Sequence, residues 1–474
     1  MEPIKAEIVV LGAGPGGYAA AFYAADMGKK VLLVEQDTRL GGVCLNRGCI
    51  PSKALLNSTS MIPAARESIH RGIVFEKPTV DLNKLRGWKD NIIEQLSKGV
   101  AGIAQRRGVQ VLKGRGHFEN SQSLRVETAE GQQFITFEKL ILAVGSKPAL
   151  PKLFDLGNPR VMTSTEALQI EEVPEDLLVV GGGYIGMELG TVYANLGSKV
   201  VVLEALDTIL AGADPDLIRP VVKLAEKNFK EIRYKNKVTK MATKGKKISV
   251  TTEADGKEKE ELFDRVLVSV GRVANKEDLG LENTKIELDE RGFVKVNEKQ
   301  ETTDPNILAI GDIVGGVMLA HKASKEARIA VEGLMGEPVS NANVIIPAVV
   351  FTDPEVAWCG LTETQAKAQG IEVKVAKFPW GASGRALTYD RTDGMTKLIL
   401  EPDTDRILGV GIVGHGAGEL IAEGVLAVEM GANARDLAET VHPHPTLSET
   451  LMESAELFYG HSTHAYIRKA QPEA

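Results

Sequence analysis

Runs of apolar residues that end at glycine-rich turns recur along the chain and predict buried strands of a parallel sheet. The first run, residues 7–12 (EIVVLG), leads into a stretch of small residues from Tyr18 to Met27, which predicts a helix. The next apolar run is VLLVE, which ends at Glu35. The pattern therefore predicts a strand, turn, helix and strand at the N-terminus.

The same pattern returns in the middle of the chain. LLVV precedes a second glycine-rich turn, a predicted helix through Leu196 and the strand KVVVLE, which ends at Glu204. Both turns have the spacing GxGxxG, and in both copies 23 residues separate the first glycine from the final acid (35 − 12 and 204 − 181). One such turn is weak evidence, but two complete copies predict two dinucleotide sites, with Gly12, Gly14, Gly17 and Glu35 in the first and Gly181, Gly183, Gly186 and Glu204 in the second.

The residue types suit this chemistry. The first glycine permits the tight turn, the second lets the backbone approach a pyrophosphate, and the third lets the helix pack on the strand. The phosphates then lie at the positive end of a helix, and the acid accepts hydrogen bonds from ribose hydroxyls. A carboxylate at Glu204 repels a 2′-phosphate, so the second site is predicted to take NAD and not NADP.

Two further apolar strands indicate how the chain is divided. LILAVGSKP (140–148) and VLVSVGRVAN (266–275) each end in a glycine turn, where the chain is expected to enter and leave an inserted second nucleotide unit. The lysine- and glutamate-rich stretch between them fits a solvated strand meander better than an anion-binding patch. We predict an α/β protein with two Rossmann-like domains, 1–147 continued by 276–346, and 148–275, followed by a third domain, 347–474.

Length, charge and the N-terminus narrow the function classes. A chain of 474 residues exceeds one hydrophobic core, and its net charge of −8 argues against nucleic acid as a partner. The N-terminus lacks the basic and apolar regions of a secretory signal. The uncharged run from Ile8 to Ala25 is interrupted by Gly14-Pro15-Gly16-Gly17, which disfavours a membrane span. We expect a cytoplasmic protein that binds neither membrane nor nucleic acid.

Two of the three cysteines, Cys44 and Cys49, lie in GGVCLNRGCIPSK (41–53). A close pair in an intracellular chain is usually catalytic or metal-binding. Five positions on a regular helix rise about 7.5 Å, beyond the Cα separation that a disulfide spans, so a bridge needs a distorted backbone. Gly48 is expected to supply local freedom, and Pro51 a distortion if the helix runs through it, since Pro51 has no N–H for the carbonyl of Arg47. A zinc site is the main alternative, but Cys359 stands alone and no histidine lies near the pair, so no metal is expected.

A dithiol beside two nucleotide sites indicates electron transfer between sulfur and nicotinamide, which a flavin can mediate. GGVCLNRGCIPSK, the paired fingerprints, LAIGDIVGG (308–316) and HPHPTLSE (442–449) together closely resemble the flavin-dependent pyridine nucleotide-disulfide oxidoreductases, in order and over nearly the whole chain. Within that family the resemblance is to the enzymes that oxidise dihydrolipoamide. It implies domains for FAD, for NAD and, in an α+β fold, for dimerisation.

The resemblance also implies cofactor contacts. The first fingerprint would hold FAD and the second NAD. The residues implied around FAD are Glu35, Lys53, Gly116, Asp312 and Ala320, and those around NAD are Gly183, Gly186, Glu188, Glu204, Val238 and Gly271.

Thiol oxidation needs a base, because the thiolate is the form that attacks a disulfide. A lone histidine is more often structural, but the resemblance selects His444 as the base and Glu449 as the carboxylate that orients it. It also places His444 across a subunit interface from Cys44 and Cys49, so a homodimer is expected. The implied reaction oxidises protein-bound dihydrolipoamide through the Cys44–Cys49 disulfide and FAD and reduces NAD to NADH.

Several alternatives remain open at this point. Glutathione reductases share the cysteine spacing and Tyr184, although Glu204 and the motif CIPSK (49–53) favour lipoamide and NAD. Mercuric reductases usually add a C-terminal cysteine pair, and none follows Cys359. A non-catalytic subunit of a large complex is the alternative from another class. The partner implied by the resemblance is a lipoyl-bearing acyltransferase core of a 2-oxo acid dehydrogenase complex or a glycine-cleavage carrier protein.

Overall fold

The computed structural model describes residues 3–466, and the predicted strand, turn, helix and strand open the chain. The elements of this part are β1 (Ile4–Leu11), α1 (Pro15–Asp26), β2 (Val31–Glu35), α2 (Gly42–Arg47), α3 (Cys49–Glu67), α4 (Leu82–Arg106), β3 (Gln110–Lys113), β4 (Arg115–Asn120), β5 (Ser123–Thr128) and β6 (Gly131–Leu142). The helix predicted from Tyr18 begins earlier because Pro15 is suited to a first helical turn. The strands run in the order β3-β2-β1-β6-β5-β4, parallel from β3 to β6 and antiparallel from β6 to β4.

The chain then builds a second sheet. Its elements are β7 (Ser146–Pro148), β8 (Val161–Met162), α5 (Ser164–Ala167), β9 (Asp176–Val180), α6 (Tyr184–Leu196), β10 (Lys199–Leu203), α7 (Pro215–Asn228), β11 (Glu231–Arg233), β12 (Lys237–Lys244), β13 (Lys247–Ala254), β14 (Lys257–Phe263), β15 (Arg265–Val268) and β16 (Arg272–Ala274). The sheet is parallel in the order β11-β10-β9-β15-β8. The predicted meander is confirmed, because β12, β13 and β14 form an antiparallel sheet.

The two predicted crossings between these sheets lie side by side. β7 and β16 pair as an antiparallel ribbon, with Lys147 opposite Val273. The chain then returns to the first sheet, where β17 (Ile307–Ala309) pairs in parallel with β6, and α8 (Ala320–Leu334) packs against α1. One face of the first sheet is covered by α1, α4 and α8, and the other by the segment 279–296.

The last part of the described chain is an antiparallel sheet with helices. Its elements are β18 (Ala348–Val350), β19 (Glu355–Gly360), α9 (Glu363–Gln369), β20 (Lys374–Pro379), α10 (Gly384–Tyr389), β21 (Met395–Leu400), β22 (Ile407–Gly414), α11 (Ala417–Glu429), α12 (Ala434–Glu439) and α13 (Glu449–Tyr459). The strand order is β18-β19-β22-β21-β20. The predicted fold class, α/β with an α+β C-terminal part, is confirmed. Within residues 3–466, every helix is too short or too polar to cross a bilayer.

Candidate active site

The two fingerprint turns have the same geometry. Gly12 and Gly181 have φ angles of 101° and 104°, a region that side chains rarely adopt. A Cβ on Gly17 would lie 1.8 Å from the carbonyl oxygen of Gly12, and one on Gly186 would lie 2.1 Å from that of Gly181. Only glycine permits this close approach of helix to strand. The repeat in the sequence is therefore a repeat in structure.

The middle glycine of each turn caps a helix. Gly14 is the N-cap of α1 and Gly183 is the N-cap of α6, and neither contributes a side-chain cap. The first backbone N–H groups of both helices are left for a ligand, at the positive end of the helix dipole. This arrangement suits a pyrophosphate.

The acid at the end of each second strand also holds its own turn. Each carboxylate accepts hydrogen bonds of 2.7–2.8 Å from two backbone N–H groups, Ala13 and Asp37 for Glu35, and Gly182 and Leu206 for Glu204. Burial raises the pKa of Glu35, and the two N–H groups oppose that shift. The sequence predicted the acids as ribose ligands, and did not predict that they stabilise the turns.

A cavity of about 480 Å³ lies in front of the first fingerprint. Its volume is within the range of small-ligand and cofactor sites. The first turn, the α1 N-terminus and both cysteines of 41–53 line it. The predicted site residues that line it are Gly12, Gly14, Glu35, Cys44, Cys49, Lys53, Gly116, Glu188, Asp312 and Ala320.

The donor set and shape of this cavity fit a flavin dinucleotide. A Cβ on Gly42 would lie 2.6 Å from the Cα of Gly14, so only glycine lets the start of α2 approach the first turn, and Gly116 lies against the end of the Leu11 side chain, 2.7 Å from where a Cβ would be. Tyr184, the first residue of α6, also lines the cavity, and burial raises its pKa to about 12.

The other predicted cofactor residues lie outside this cavity. Gly17 packs beneath the first turn, and Gly181, Gly183, Gly186 and Glu204 belong to the second turn. Val238 lies in β12, where the pairing with β13 shifts register, and packs on the core of the second unit. Gly271 precedes β16, and its carbonyl oxygen accepts a hydrogen bond from Ala149.

The helix is broken between the two cysteines, as predicted. α2 ends at Arg47, α3 begins at Cys49, and Gly48 between them has φ −145° and ψ −112°. A Cβ on Gly48 would lie 2.9 Å from the carbonyl oxygen of Val43. The distortion expected at Pro51 depended on a helix running through it from Arg47, and the break at Gly48 removes that condition. Pro51 is the third residue of α3, where a backbone N–H has no intrahelical partner to lose.

The break brings the two sulfurs together at the cavity. Cys44 and Cys49 are free thiols with Sγ atoms 2.7 Å apart, and the Cys44 thiol donates to Cys49. That hydrogen bond lowers the pKa of Cys49 to about 7, with help from Lys53 and against burial, and it raises the pKa of Cys44. Cys49 is therefore the more acidic sulfur of the reduced pair.

Lys53 and Glu188 form an ion pair that the sequence did not predict. Lys53 Nζ lies 2.8 Å from Glu188 Oε2, and the Ser52 hydroxyl donates to the same oxygen at 2.8 Å. The backbone N–H of Phe351 donates to Oε1 at 3.0 Å, and Lys53 Nζ lies 4.5 Å from the centre of the Phe351 ring. Glu188, only 2% exposed, thus joins α3, α6 and the segment after β18.

A second polar chain at the cavity was also missed. Arg272 donates from Nε to the Ser146 hydroxyl at 2.7 Å and from Nη2 to the Ser146 carbonyl at 2.8 Å, and the hydroxyl donates to Asp312. All three residues line the cavity. Ser146 and Arg272 lie in the two segments that the sequence marked as crossings, which was the available signal.

His444 and Glu449 pair with each other but lie away from the cysteines. His444 Nδ1 lies 2.8 Å from Glu449 Oε1, and the backbone N–H of Thr446 donates to Oε2 at 2.7 Å. Burial acts to raise the pKa of Glu449, but the Thr446 N–H and His444 lower it overall, so Glu449 is a carboxylate. The His444 side chain is 70% exposed and does not line the cavity of Cys44 and Cys49.

One acidic cluster has the spacing of a metal site. The carboxylates of Asp214, Asp216 and Glu363 come within 4.8 Å of one another. Lys397 Nζ lies 2.7–2.8 Å from all three, and its side chain is completely buried. The Lys397 ammonium thus takes the place of a metal ion and joins α7 to β21 and α9.

Comparisons with known proteins agree with this geometry. The model of the pyridine nucleotide-disulphide oxidoreductase family matches residues 6–327, and the model of that family's dimerisation domain matches residues 346–455. The dihydrolipoyl dehydrogenase of Vibrio parahaemolyticus is 46% identical over 470 residues, which is 99% of each chain. That of Bacillus subtilis is 45% identical over 463 residues, which is 98% of each chain.

Solved structures show the same fold. The crystal structure of LpdA from Mycobacterium tuberculosis superposes with a TM-score of 0.89 at 26% identity, covering 96% of this chain and 99% of that one. The Cu(II) complex of the HOCl-induced flavoprotein disulfide reductase RclA from Escherichia coli gives a TM-score of 0.86 at 28% identity, with 96% and 100% covered. With both family models matched in order and full-length relatives above 40% identity, the chain belongs to the pyridine nucleotide-disulphide oxidoreductase family.

Proposed function

We propose that the chain is a dihydrolipoyl dehydrogenase, which oxidises protein-bound dihydrolipoamide to lipoamide and reduces NAD to NADH. The observation that carries the proposal is the pair Cys44 and Cys49, 2.7 Å apart, in the lining of the same cavity as a dinucleotide fingerprint. The full-length similarity to dihydrolipoyl dehydrogenases supports the choice of substrate.

We assign FAD to the domain formed by 1–147 and 276–346, NAD to 148–275 and dimerisation to 347–474. The two parallel sheets and the C-terminal antiparallel sheet support this division. Residues 1–2 and 467–474 of these domains lie outside the described part of the chain.

FAD is proposed to lie in the 480 Å³ cavity. Gly12, Gly14 and Gly17 with the α1 N-terminus would hold its pyrophosphate, and Glu35 a ribose. Lys53, Asp312, Gly116 and Ala320 would make the remaining contacts. Bound FAD supplies the two-electron exchange between dithiol and nicotinamide that no side chain of this chain provides.

NAD is proposed to bind the second fingerprint. Gly181, Gly183 and Gly186 with the α6 N-terminus would hold the pyrophosphate, Glu204 a ribose, and Val238 and Gly271 would close around the nucleotide. Glu188 would lie near the nicotinamide. Glu204 carries a carboxylate and so disfavours the 2′-phosphate of NADP.

The acidity of the two cysteines decides which sulfur is attacked. His444 takes a proton from one substrate thiol, and the resulting thiolate attacks Cys44 of the disulfide. The Cys44–Cys49 bond breaks and Cys49 leaves as a thiolate, because the thiol of lower pKa is the better leaving group.

The second substrate thiol then attacks the substrate sulfur bonded to Cys44, and its proton passes to the Cys44 sulfur. The mixed disulfide breaks, lipoamide forms, and Cys44 leaves as a thiol. The products are oxidised lipoamide and a reduced pair with a protonated Cys44 and an ionised Cys49. The two electrons gained by the pair finally reduce NAD.

A homodimer is part of the proposal. The family's dimerisation domain matches residues 346–455, and His444 is exposed and apart from the cysteines of its own chain. We propose that His444, oriented by Glu449, serves the cysteine pair of a second copy. The dihydrolipoyl group would arrive on an acyltransferase core of a 2-oxo acid dehydrogenase complex or on a glycine-cleavage carrier protein, in the cytoplasm, where thiols are kept reduced.

The test is steady-state turnover of the purified, FAD-loaded protein. Dihydrolipoamide with NAD should be the preferred pair over glutathione with NADP, each substrate being tested with each nucleotide. Tyr184 is shared with glutathione reductases, so a preference for glutathione and NADPH is the result that would replace this proposal. A protein that binds no flavin after reconstitution would contradict the whole assignment.

A further inference from the structure

A second histidine–glutamate pair lies beside the one at His444. α13 begins at Glu449, and Glu453 follows four residues later, so both carboxylates lie on one face of the helix, one turn apart. His444 faces Glu449 through Nδ1, and His464 faces Glu453 through the same ring atom. The two pairs are therefore neighbours with the same geometry.

The segment that follows α13 folds back along the helix and brings His464 to Glu453. The hydroxyl of Ser462 donates to Glu453, and the backbone N–H of Thr463 donates to Glu456 at 3.4 Å. The Glu453 side chain is buried, whereas that of His464 is half exposed. His464 is thus held against α13 at a defined position.

The charges around His464 come from α13. Its hydrogen bond to Glu453 raises the pKa of His464 against partial burial, and Glu449 and Glu456 act in the same direction. In the loop before α13, His442 is held by Glu423. The elements packed on α13 are α12, β20 and β21, and their charged side chains have other partners. Arg435 pairs with Glu439, Asp436 accepts a hydrogen bond from the backbone N–H of Asn433, and Lys374 pairs with Asp405. Lys377 and Lys397 both pair with Asp216 and Glu363.

We propose that His464 is a positioning residue of the thiol base, because it places a positive charge one helical turn beyond Glu449. There its charge partly cancels the negative charge of the α13 carboxylates and lowers the proton affinity of His444. A base must be unprotonated to accept the proton of a substrate thiol, so the lower proton affinity extends the working range of His444 to lower pH. The inference rests on the proposed function, in which His444 is that base.

The experiment is the pH profile of kcat/KM for dihydrolipoamide, measured on the FAD-loaded protein. His464→Gln removes the charge and keeps a polar side chain. It is expected to move the acidic limb upward by about 0.1–0.4 pH unit, the order of magnitude for loss of one nearby unit charge that acts through water and is partly screened by salt. His464→Lys restores a positive charge beside Glu453 and is expected to return the limb to its original position.

His461→Gln is the matched control. His461 lies on the same segment and stacks on Tyr459, so its loss is expected to leave the profile unchanged. No shift in His464→Gln, or equal shifts in the Gln and Lys variants, would overturn the inference. His464→Asn is the second neutral variant, to be measured if the Gln variant does not fold. Failure of the unaltered protein to oxidise dihydrolipoamide would instead contradict the proposed function, so the two failures are distinct.

Discussion

Lys53 Nζ lies 2.8 Å from Glu188 Oε2, and this ion pair joins the helix that begins at Cys49 to the helix of the second fingerprint. Lys53 follows Cys49 by four residues, so one turn of α3 separates the thiol from the ammonium group. The buried Glu188 carboxylate keeps that ammonium group in place. Lys53 lowers the pKa of Cys49, while the Glu188 carboxylate that anchors Lys53 acts in the opposite direction.

Lys53→Met is expected to raise the pKa of Cys49 above about 7, by roughly 0.5–1 pH unit, because Lys53 lowers that pKa electrostatically. The measurement is the pH dependence of Cys49 alkylation in the reduced protein, followed by peptide mass. Lys84→Met, on the exposed face of α4, is the control and should leave the titration unchanged. An unaltered Cys49 titration in Lys53→Met would refute the electrostatic role of Lys53.

Gly48→Ala is expected to destabilise the protein by about 1–3 kcal/mol, since the new Cβ would lie 2.9 Å from a backbone oxygen that cannot move freely. The sulfurs should also be displaced, which slows disulfide closure. Urea unfolding and the rate of reoxidation test the two effects. In Gly87→Ala the Cβ meets no atom within 4 Å, so this helix-interior control should be neutral or up to about 1 kcal/mol more stable.

His444→Gln is expected to lower kcat/KM for dihydrolipoamide by roughly 10²–10⁴, the range of general-base catalysis, while fold and bound flavin remain. Turnover, circular dichroism and flavin absorbance give the three measurements. His461→Gln serves as the control for loss of a nearby histidine. A His444→Gln protein with full turnover would remove the proposed base.

Lys397→Met is expected to cost roughly 3–5 kcal/mol, because it leaves the buried Asp214 without a cation and only Lys377 beside Asp216 and Glu363. Urea unfolding of the FAD-loaded protein measures the loss. Lys374→Met, on the neighbouring strand and half exposed, is the control and should change stability by less than about 0.5 kcal/mol. Similar stability losses in the two variants would argue against a buried anchor at Lys397.

The same cluster makes the folding stability of the protein depend on pH. Burial acts to raise the pKa values of Asp214 and Asp216, but hydrogen bonds from Lys397 and other partners bring both below the ordinary 3.8. Carboxyl groups with a lowered pKa in the folded state add stability above their unfolded pKa and lose it as the pH falls. Their contribution should be present at neutral pH and fade below about pH 4, as urea midpoints across that range would reveal.

Local features were predictable where the physical requirement is local. The turns at Gly12 and Gly181 need a positive φ and a close approach by a third glycine, and residue spacing alone expresses both needs. The broken helix between Cys44 and Cys49 was predicted for the same reason. Gly48 marks the break, and the condition set for Pro51 does not arise because α3 begins at Cys49.

Contacts between distant segments were not predictable in the same way. The sequence presents Ser146, Arg272 and Asp312 in separate segments, and nothing in their spacing says that they form one hydrogen-bonded chain at the cavity. Lys397 and its carboxylates likewise meet only because α7, α9 and β21 pack together.

The order of residues by itself determined two dinucleotide turns and a cysteine pair at a helix break, since each depends on neighbours a few positions apart, whereas His444 and Glu449 were selected by the family resemblance. Tertiary structure decided which sulfur is the more acidic, which carboxylate holds Lys53 and that His444 lies outside its own chain's dithiol cavity. The physical reason is that charge and burial depend on distances through space, and packing sets those distances between segments far apart in the chain.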